Sequence, residues 1–211
     1  MTIRDAVALA RKELVETSLE DAEFEARQLA AFCLGKRRLY TFEFADEMPG
    51  DALKKLQSCI MRRKNHEPLQ YIIGEWEFMG LSFTVNENVL IPRADTETLA
   101  EAAEKIIAER NTTAPVKFLL DVCTGSGCIG ISIAKRTGVP ALLCDISPEA
   151  VSVAEKYAER MMHIIMATII EMWFIGSKLL LVEFAGMGTR ATKKRSERKT
   201  FGYAFEHMRN I

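Results

Sequence analysis

The first part of the chain has the apolar and polar spacing of amphipathic helices. Apolar residues recur three or four positions apart in three segments, which start near the amino terminus, after Ser18 and after Pro49-Gly50. The second segment opens with acidic residues and stops at Gly35, as helices commonly do. These patterns predict an N-terminal helical domain over residues 1–68.

The pattern changes after Glu67, where short apolar and aromatic runs alternate with glycine. Three runs are separated by Gly74 and Gly80, and Pro92 prevents the last one from continuing. Aromatic and β-branched runs of this length are typical of short strands. Residues 69–90 are therefore predicted to form a β-hairpin linker to a second domain.

The next stretch, FLLDVCTGSGCIGISIA from Phe118 to Ala134, passes from an apolar run to glycines and then to helical spacing. The apolar run fits a buried parallel strand, and the isoleucines after the glycines have the period of a helix. Glycines let a ligand approach the backbone, and the start of a helix offers free N–H groups and a positive dipole end. The stretch predicts a strand, a tight loop and a helix around a polar or anionic ligand.

Two cofactors fit such a loop. Gly125, Gly127 and Gly130 have the spacing G-x-G-x-x-G of dinucleotide-binding folds, and Asp145 ends the next apolar run, where an acid can bind ribose hydroxyls. An acid at the end of each strand, Asp121 and Asp145, with a glycine turn between them also suits S-adenosylmethionine. From the residues alone, three possibilities stay open: a dinucleotide, S-adenosylmethionine, or a turn that holds no ligand.

Composition restricts the remaining functions. The 211 residues are 48% hydrophobic and 27% charged, enough for one good core and a small second domain. A formal net charge of −1 gives no general attraction to nucleic acid, so no direct nucleic-acid partner is expected. The odd number of cysteines and a start without the apolar core of a signal peptide predict a reduced, cytoplasmic protein. No metal site is predicted, because Cys123 and Cys128 lack ligand spacing and neighbouring histidines.

A resemblance to a known family is carried by two segments. EPLQYIIGEWEFMGLSFTVNENVLIPRADTETLAE resembles the linker and entry helix of the release-factor glutamine methyltransferases, the PrmC/HemK family, and LDVCTGSGCIGISIA is similar to its S-adenosylmethionine loop. The resemblance includes the N-terminal helices and ends at about Arg160. It implies an α/β fold, in which a helical domain for release-factor recognition precedes a truncated Rossmann-like class I methyltransferase domain. It also favours S-adenosylmethionine over NAD.

The resemblance assigns roles to individual residues. The residues implied to bind the cofactor, with the last one on its ribose hydroxyls, are Asp121, Cys123, Thr124, Gly125, Ser126, Gly127 and Asp145. The segment from Ile91 to Glu97 is similar to the family's I-P-R-P-D-T-E element, with Ala94 in place of the second proline. The substrate-side residues that it implies are Pro92, Arg93, Asp95 and Glu97. Met172-Trp173-Phe174 falls about where the family often has an acid-Trp-Phe group whose tryptophan lies near the adenine, so Trp173 is either a cofactor contact or a core residue.

The reaction implied by the resemblance is methyl transfer from S-adenosylmethionine to the side-chain amide of the glutamine in the Gly-Gly-Gln motif of class I peptide chain release factors. In the family an N-P-P-Y motif holds that amide, so catalysis is mostly positioning. No asparagine of this sequence precedes a proline, and no catalytic residue is identified. Residues 91–160 are expected to form the cofactor-binding half of the methyltransferase domain, and residues 161–211 are an unmatched tail.

Three functions remain open from the sequence. The chain is a working methyltransferase, a truncated or frameshifted remnant that binds only cofactor or release factor, or an NAD-binding module. The apolar stretch from Met161 to Val182 is as long as a membrane span, but Glu171 and Lys178 lie within it, so a helix followed by a strand is expected and no membrane contact. The sequence sets no oligomeric state.

Overall fold

The computed structural model describes residues 1–15, 21–158, 164–175 and 178–185. The chain divides into two compact units, Met1–Gly74 and Glu75–Ile211. The division falls within the segment that the sequence assigns to a linker.

The first unit is helical in its described part. Its elements are α1 (Ile3–Leu14), α2 (Ala22–Cys33), a 3-10 helix (Thr41–Ala45), α3 (Gly50–Lys64) and α4 (Leu69–Ile73). A capping box starts α1, since the Thr2 hydroxyl accepts from the Asp5 N–H at 3.2 Å and the Asp5 carboxylate accepts from the Thr2 N–H at 3.1 Å. The three long helices lie where the apolar spacing predicts them.

Helix α4 differs from the expectation that residues 69–90 form only a hairpin linker. Pro68 precedes the helix, where its missing N–H costs nothing, and Gly74 ends it with a φ of +83°. Leu69 and Ile72, three positions apart, are buried in the same apolar core as α1, α2 and α3. Burial of that face makes this segment helical, although its short apolar run is typical of a strand.

The second unit contains the elements that build the candidate site. They are β1 (Glu75–Phe78), β2 (Leu81–Thr84), α5 (Asp95–Asn111), β3 (Leu119–Val122), α6 (Cys128–Thr137), β4 (Ala141–Asp145), α7 (Pro148–Ala158), β5 (Ile164–Ile175) and β6 (Lys178–Ala185). Strands β1 and β2 form an antiparallel hairpin. Its two turn residues, Met79 and Gly80, have φ values of +52° and +76°, as a two-residue type I′ turn requires.

Within the described residues, a sheet of four strands carries the glycine loop. Its order is β3-β4-β5-β6, in which β3, β4 and β5 are parallel and β6 is antiparallel to β5. Leu119 is paired with Ala141 and Val122 with Cys144. Because α6 and α7 connect the parallel strands, the carboxyl ends of β3 and β4 meet at one edge of the sheet.

The described part of the tail corrects one expectation from the sequence. Strands β5 and β6 occupy most of the stretch for which a helix followed by a strand is expected. Its run of isoleucines suits extended backbone, and the far half of β5 pairs with β6 beyond the end of β4. Among the described residues, no helix combines the length and apolar character that crossing a bilayer requires.

Candidate functional site

The site is built on the loop between β3 and α6. Asp121 lies near the end of β3, and one of its carboxylate oxygens, Oδ2, accepts two hydrogen bonds across the loop. The Thr124 hydroxyl donates to it at 2.7 Å and the Gly130 N–H donates to it at 3.0 Å. This carboxylate therefore connects the end of the strand to the middle of the loop and to the first turn of α6.

Two glycines are required by the closeness of this packing. A Cβ on Gly130 would lie 2.7 Å from Asp121 Oδ2 and 2.9 Å from Asp121 Cβ. A Cβ on Gly127, whose φ is +80°, would lie 2.6 Å from Ile131 Cδ1 and 3.1 Å from Ala154 Cβ. Both positions exclude any larger residue unless the loop moves.

Gly125 has a different environment. Its φ is +54°, and a Cβ built there would have no atom within 4 Å, so the loop is open on that side. Its N–H donates to Asp145 Oδ2 at 2.9 Å. The Gly125 N–H is thus bonded to an acid, whereas the side of Gly125 on which a side chain would lie is open space.

Asp145, at the end of β4, holds the loop from the second strand. It is 9% exposed, and its other oxygen, Oδ1, accepts from the Ser147 N–H at 3.0 Å. The loop is also joined to β4 through the Thr124 N–H, which donates to the Cys144 carbonyl at 3.1 Å. Each carboxylate oxygen of Asp145 has accepted one hydrogen bond and retains a lone pair for a further donor.

The two acids affect each other electrostatically. Burial raises the pKa of Asp121, the hydrogen bonds from Thr124 and Gly130 partly oppose that rise, and the nearby charge of Asp145 adds to it. The loop is therefore an acidic site in which two carboxylates lie at the ends of neighbouring strands.

Two buried thiols of this region, those of Cys128 and Cys144, are poor nucleophiles. Burial raises the pKa of Cys144 to about 11 and also raises the pKa of Cys128. Both sulfurs remain protonated thiols at neutral pH. Cys123 differs from them, since it is exposed and has a φ of +63°, where many family members are expected to have glycine. The groups that the loop offers to a ligand are therefore carboxylate and hydroxyl oxygens and backbone groups.

The four candidate substrate-side residues lie at the start of α5. Pro92 is buried, whereas Arg93 and Asp95 are exposed. Ala94 is the N-cap residue, and no side-chain hydrogen bond caps the helix. Glu97 is engaged elsewhere, because its Oε1 accepts from the Met79 N–H at 2.6 Å.

That hydrogen bond gives Glu97 a structural role that the sequence does not indicate. It joins the first turn of α5 to the turn of the β1–β2 hairpin, 18 positions earlier in the chain. Among the described residues, no hydrogen bond links the four candidate side chains to the glycine loop. Their role toward a substrate stays a prediction.

The structure also positions Trp173 on the sheet. It lies on β5, paired with Leu181 of β6, five positions beyond Thr168, the partner of Asp145. At about 3.3 Å per residue, that separation is roughly 16 Å along the strand. Its assignment as a cofactor contact stays a prediction.

The groups present fit a cofactor with ribose hydroxyls. The loop offers an open backbone at Gly125, and Asp145 offers free lone pairs beside it. Among the described residues, no group of three or more His, Cys, Asp or Glu could hold a metal ion. Sequence reasoning identified the two acids and the loop but missed Gly130 as a partner of Asp121, although its place in the glycine spacing was a signal.

Comparisons with known proteins give similarity over the same part of the chain. Residues 5–74 match the PrmC N-terminal domain family. The chain is 41% identical over 157 residues to the release factor glutamine methyltransferase of Clostridium acetobutylicum, which is 74% of this chain and 54% of that protein. It is 39% identical over 165 residues to the one from Koribacter versatilis (76% and 57%) and 36% identical over 162 residues to the one from Geobacter sulfurreducens (75% and 55%). The chain thus spans about half the length of these curated relatives.

Proposed function

Because this chain belongs to the release factor glutamine methyltransferase family over about three quarters of its length, we propose that it binds S-adenosylmethionine at residues 121–127 and Asp145. One observation carries the proposal: acids at the ends of two adjacent parallel strands accept hydrogen bonds from different residues of a single glycine loop. The order β3-α6-β4-α7-β5 is that of a Rossmann-like methyltransferase domain and supports it.

Each residue has a defined task in this proposal. Asp145 accepts hydrogen bonds from the ribose hydroxyls with the lone pairs that Gly125 and Ser147 leave free. Asp121 holds Thr124 and Gly130 and so sets the shape of the loop. When bound, S-adenosylmethionine supplies an electrophilic methyl group on a positively charged sulfur.

Charge favours this cofactor over NAD. S-adenosylmethionine carries a sulfonium and an ammonium group, which two nearby carboxylates attract. In a dinucleotide-binding fold the pyrophosphate lies at the start of the helix, which here adjoins the Asp121 carboxylate at Gly130. A pyrophosphate there would be repelled by that carboxylate, so the literal G-x-G-x-x-G spacing does not make this an NAD site.

The acceptor that we propose is the glutamine side-chain amide of a class I peptide chain release factor, and the relatives are named as release factor glutamine methyltransferases. An amide nitrogen is a weak nucleophile because its lone pair is delocalised into the carbonyl. Transfer therefore depends on positioning the amide. In the family that the chain resembles, an N-P-P-Y motif positions it, and this motif does not occur in the 211 residues. Cofactor binding and methyl transfer are accordingly tested separately.

Calorimetric titration tests the cofactor. We expect saturable binding of S-adenosylmethionine, no binding of NAD under the same conditions, and at least a tenfold loss of affinity in Asp145→Ala, since about 1.4 kcal/mol is a tenfold change. Asp51→Ala, which removes an exposed acid from α3, is the matched control and should keep the parent affinity. Binding of NAD, or unchanged affinity in Asp145→Ala, would refute the assignment of the loop.

Transfer of a radiolabelled methyl group to a purified release factor tests the reaction. A release factor whose Gly-Gly-Gln glutamine is replaced by alanine is the control and should stay unlabelled. Cofactor binding with labelling supports the full methyltransferase function. Binding without labelling leaves the site assignment intact and refutes methyl transfer by this chain.

A further inference from the structure

Two aromatic rings of the first unit are stacked on its surface. Phe42, in the 3-10 helix, is 78% exposed, and Tyr40, just before that helix, is 46% exposed. Their ring centroids are 5.7 Å apart and their planes are 13° from parallel. The guanidinium carbon of Arg38 lies 4.4 Å from the centroid of the Tyr40 ring. A cation and two flat rings are therefore in contact with one another where solvent reaches them.

A buried acid holds this segment in place. Glu43 accepts a hydrogen bond from the Tyr40 N–H at 2.7 Å through Oε2, and its other oxygen, Oε1, accepts from the Lys36 ammonium. The Glu43 N–H in turn donates to the Tyr40 carbonyl at 3.0 Å. Because these bonds fix the backbone on both sides of the rings, a ligand would meet a surface that is already ordered.

The charge that faces solvent before the rings is positive. Residues 36–38 are a lysine and two arginines, and all three are exposed. Glu43 is buried and paired with the lysine of this run. The next acids, Asp46 and Glu47, lie where the backbone pairs with the amino terminus of the chain. A formal net charge of −1 gives no general attraction to nucleic acid, but it leaves room for this local one.

We propose that Arg37, Arg38, Tyr40 and Phe42 form a stacking surface that binds single-stranded RNA. Unpaired bases stack on aromatic rings and on guanidinium planes, and neighbouring cations hold the phosphates. RNA is the occupant because unpaired bases are common in RNA, whereas a double helix offers phosphates to the arginines but no base face to the rings. The inference concerns the first unit and does not depend on the cofactor or the acceptor proposed above.

The size of the stacking surface favours a nucleotide strand over a protein. Two aromatic side chains contribute about 300–500 Å² when they are fully buried, whereas a standard protein interface buries about 800 Å² on each partner. The exposed run that precedes the rings consists of cations and adds no apolar area. A base needs only one ring face and a phosphate only one cation, so a few nucleotides use what the surface offers.

Fluorescence anisotropy of a short labelled oligouridine RNA, titrated with the whole chain, tests the proposal. We expect saturable binding that weakens as salt is added. Phe42→Ala should lower the affinity about tenfold, as the loss of one base–aromatic stack does. Phe42→Leu restores apolar bulk without a ring and should bind as weakly as Phe42→Ala, whereas Phe42→Trp keeps a ring and should bind like the parent.

Two controls separate the ring and the charge from general effects. Phe24→Ala removes another exposed phenylalanine of the first unit and should keep the parent affinity. Arg38→Gln should make the slope of log affinity against log salt shallower by about 0.7, the value for one phosphate contact on a single strand. Arg4→Gln, at an exposed arginine of α1, should leave that slope unchanged.

Several results would overturn the proposal. One is the absence of saturable binding by the parent chain at low salt. Another is an unchanged affinity in Phe42→Ala, which would assign the RNA to cations elsewhere in the chain, such as Lys193 and Lys194. Equally tight binding of duplex RNA would mean that phosphates alone are read, and tighter binding of oligothymidine DNA would exclude RNA as the occupant.

A protein partner is the remaining outcome against the proposal. Purified release factor, labelled and titrated with the same variants, detects it. Weaker binding of the release factor to Phe42→Ala, together with an unchanged affinity of that variant for RNA, would make the stacking surface a protein-docking site.

Discussion

Replacing Gly130 by alanine tests the support of the glycine loop. The new Cβ would lie 2.7 Å from Asp121 Oδ2, closer than such atoms can approach, so the carboxylate must move. It then loses its hydrogen bonds from the Gly130 N–H and the Thr124 hydroxyl. The change thus acts through a residue nine positions away.

The expected magnitude follows from opposing effects. A hydrogen bond to a charged group contributes about 1.5–3 kcal/mol, so the loss of both bonds of the moved carboxylate costs about 3–6 kcal/mol. Alanine in a helix interior ordinarily stabilises by about 1 kcal/mol relative to glycine. The net expectation is a free energy of unfolding lower by about 2–5 kcal/mol, although helix propensity alone predicts a rise.

Urea unfolding followed by tryptophan fluorescence measures this change. Both tryptophans of the chain, Trp76 and Trp173, belong to the second unit, so the signal reports the unit that contains the loop. Gly50→Ala is the matched control, because Gly50 is also helical, with no atom within 4 Å of a Cβ built there. Followed by far-UV circular dichroism, it should leave the first unit as stable as before or more so.

Two results would refute the reasoning. One is a Gly130→Ala protein as stable as the parent, which would mean that the loop tolerates a displaced carboxylate. The other concerns the pair Gly130→Ala and Asp121→Ala. Removal of the carboxylate removes the clash with Oδ2 and leaves the contact of 2.9 Å with Asp121 Cβ, so the double variant should regain part of the loss and be more stable than the sum of the single changes predicts. Strict additivity would show that the two residues act independently.

Three further outcomes are expected from the described contacts. Glu97→Ala should lower the free energy of unfolding of the second unit by about 1–2 kcal/mol, because the part-buried Met79 N–H loses its acceptor. Glu97→Gln keeps an oxygen there and should cost less, and equal losses in urea unfolding would contradict this. The pKa of Asp121 is raised in the folded protein, so the stability that its protonated carboxyl contributes is complete below the ordinary value of 3.8 and is lost as pH rises through the folded value. Asp121→Asn should therefore gain stability relative to the parent between pH 4 and neutrality. A difference in the free energy of unfolding that does not change with pH would refute this. Arg63→Ala should destabilise the first unit by about 3 kcal/mol, since it leaves the buried Glu25 unpaired, and removing both residues should restore part of the loss; circular dichroism during thermal unfolding measures both.

Local features of the second unit could be predicted from the sequence because they depend on neighbours in the chain. The strand from Leu119, the turn at Gly125 and the helix from Cys128 follow from apolar period and glycine placement. The place of Asp121 and Asp145 at strand ends follows in the same way. Helix α4 was missed because a short apolar run is compatible with strand and helix, and burial in the core of the first unit decided between them.

Partners far apart in the chain could not be predicted. Glu97 has the sequence context of a helix start, yet its partner is a turn residue 18 positions earlier. Glu25 and Arg63 are 38 positions apart, and they pair only because α2 packs against α3. In each case the local sequence pattern around each residue would be the same whether or not the two groups were in contact.

The sequence by itself determined the order of elements, the glycine loop and the two acids beside it, because hydrophobic period and backbone preference act over a few residues. The tertiary structure alone decided which atoms those acids hold: Asp121 turns to Gly130 and Thr124, and Asp145 turns to Gly125. Parallel pairing of β3 with β4 causes this, since it brings two strand ends, 24 positions apart at Asp121 and Asp145, to the same edge of the sheet.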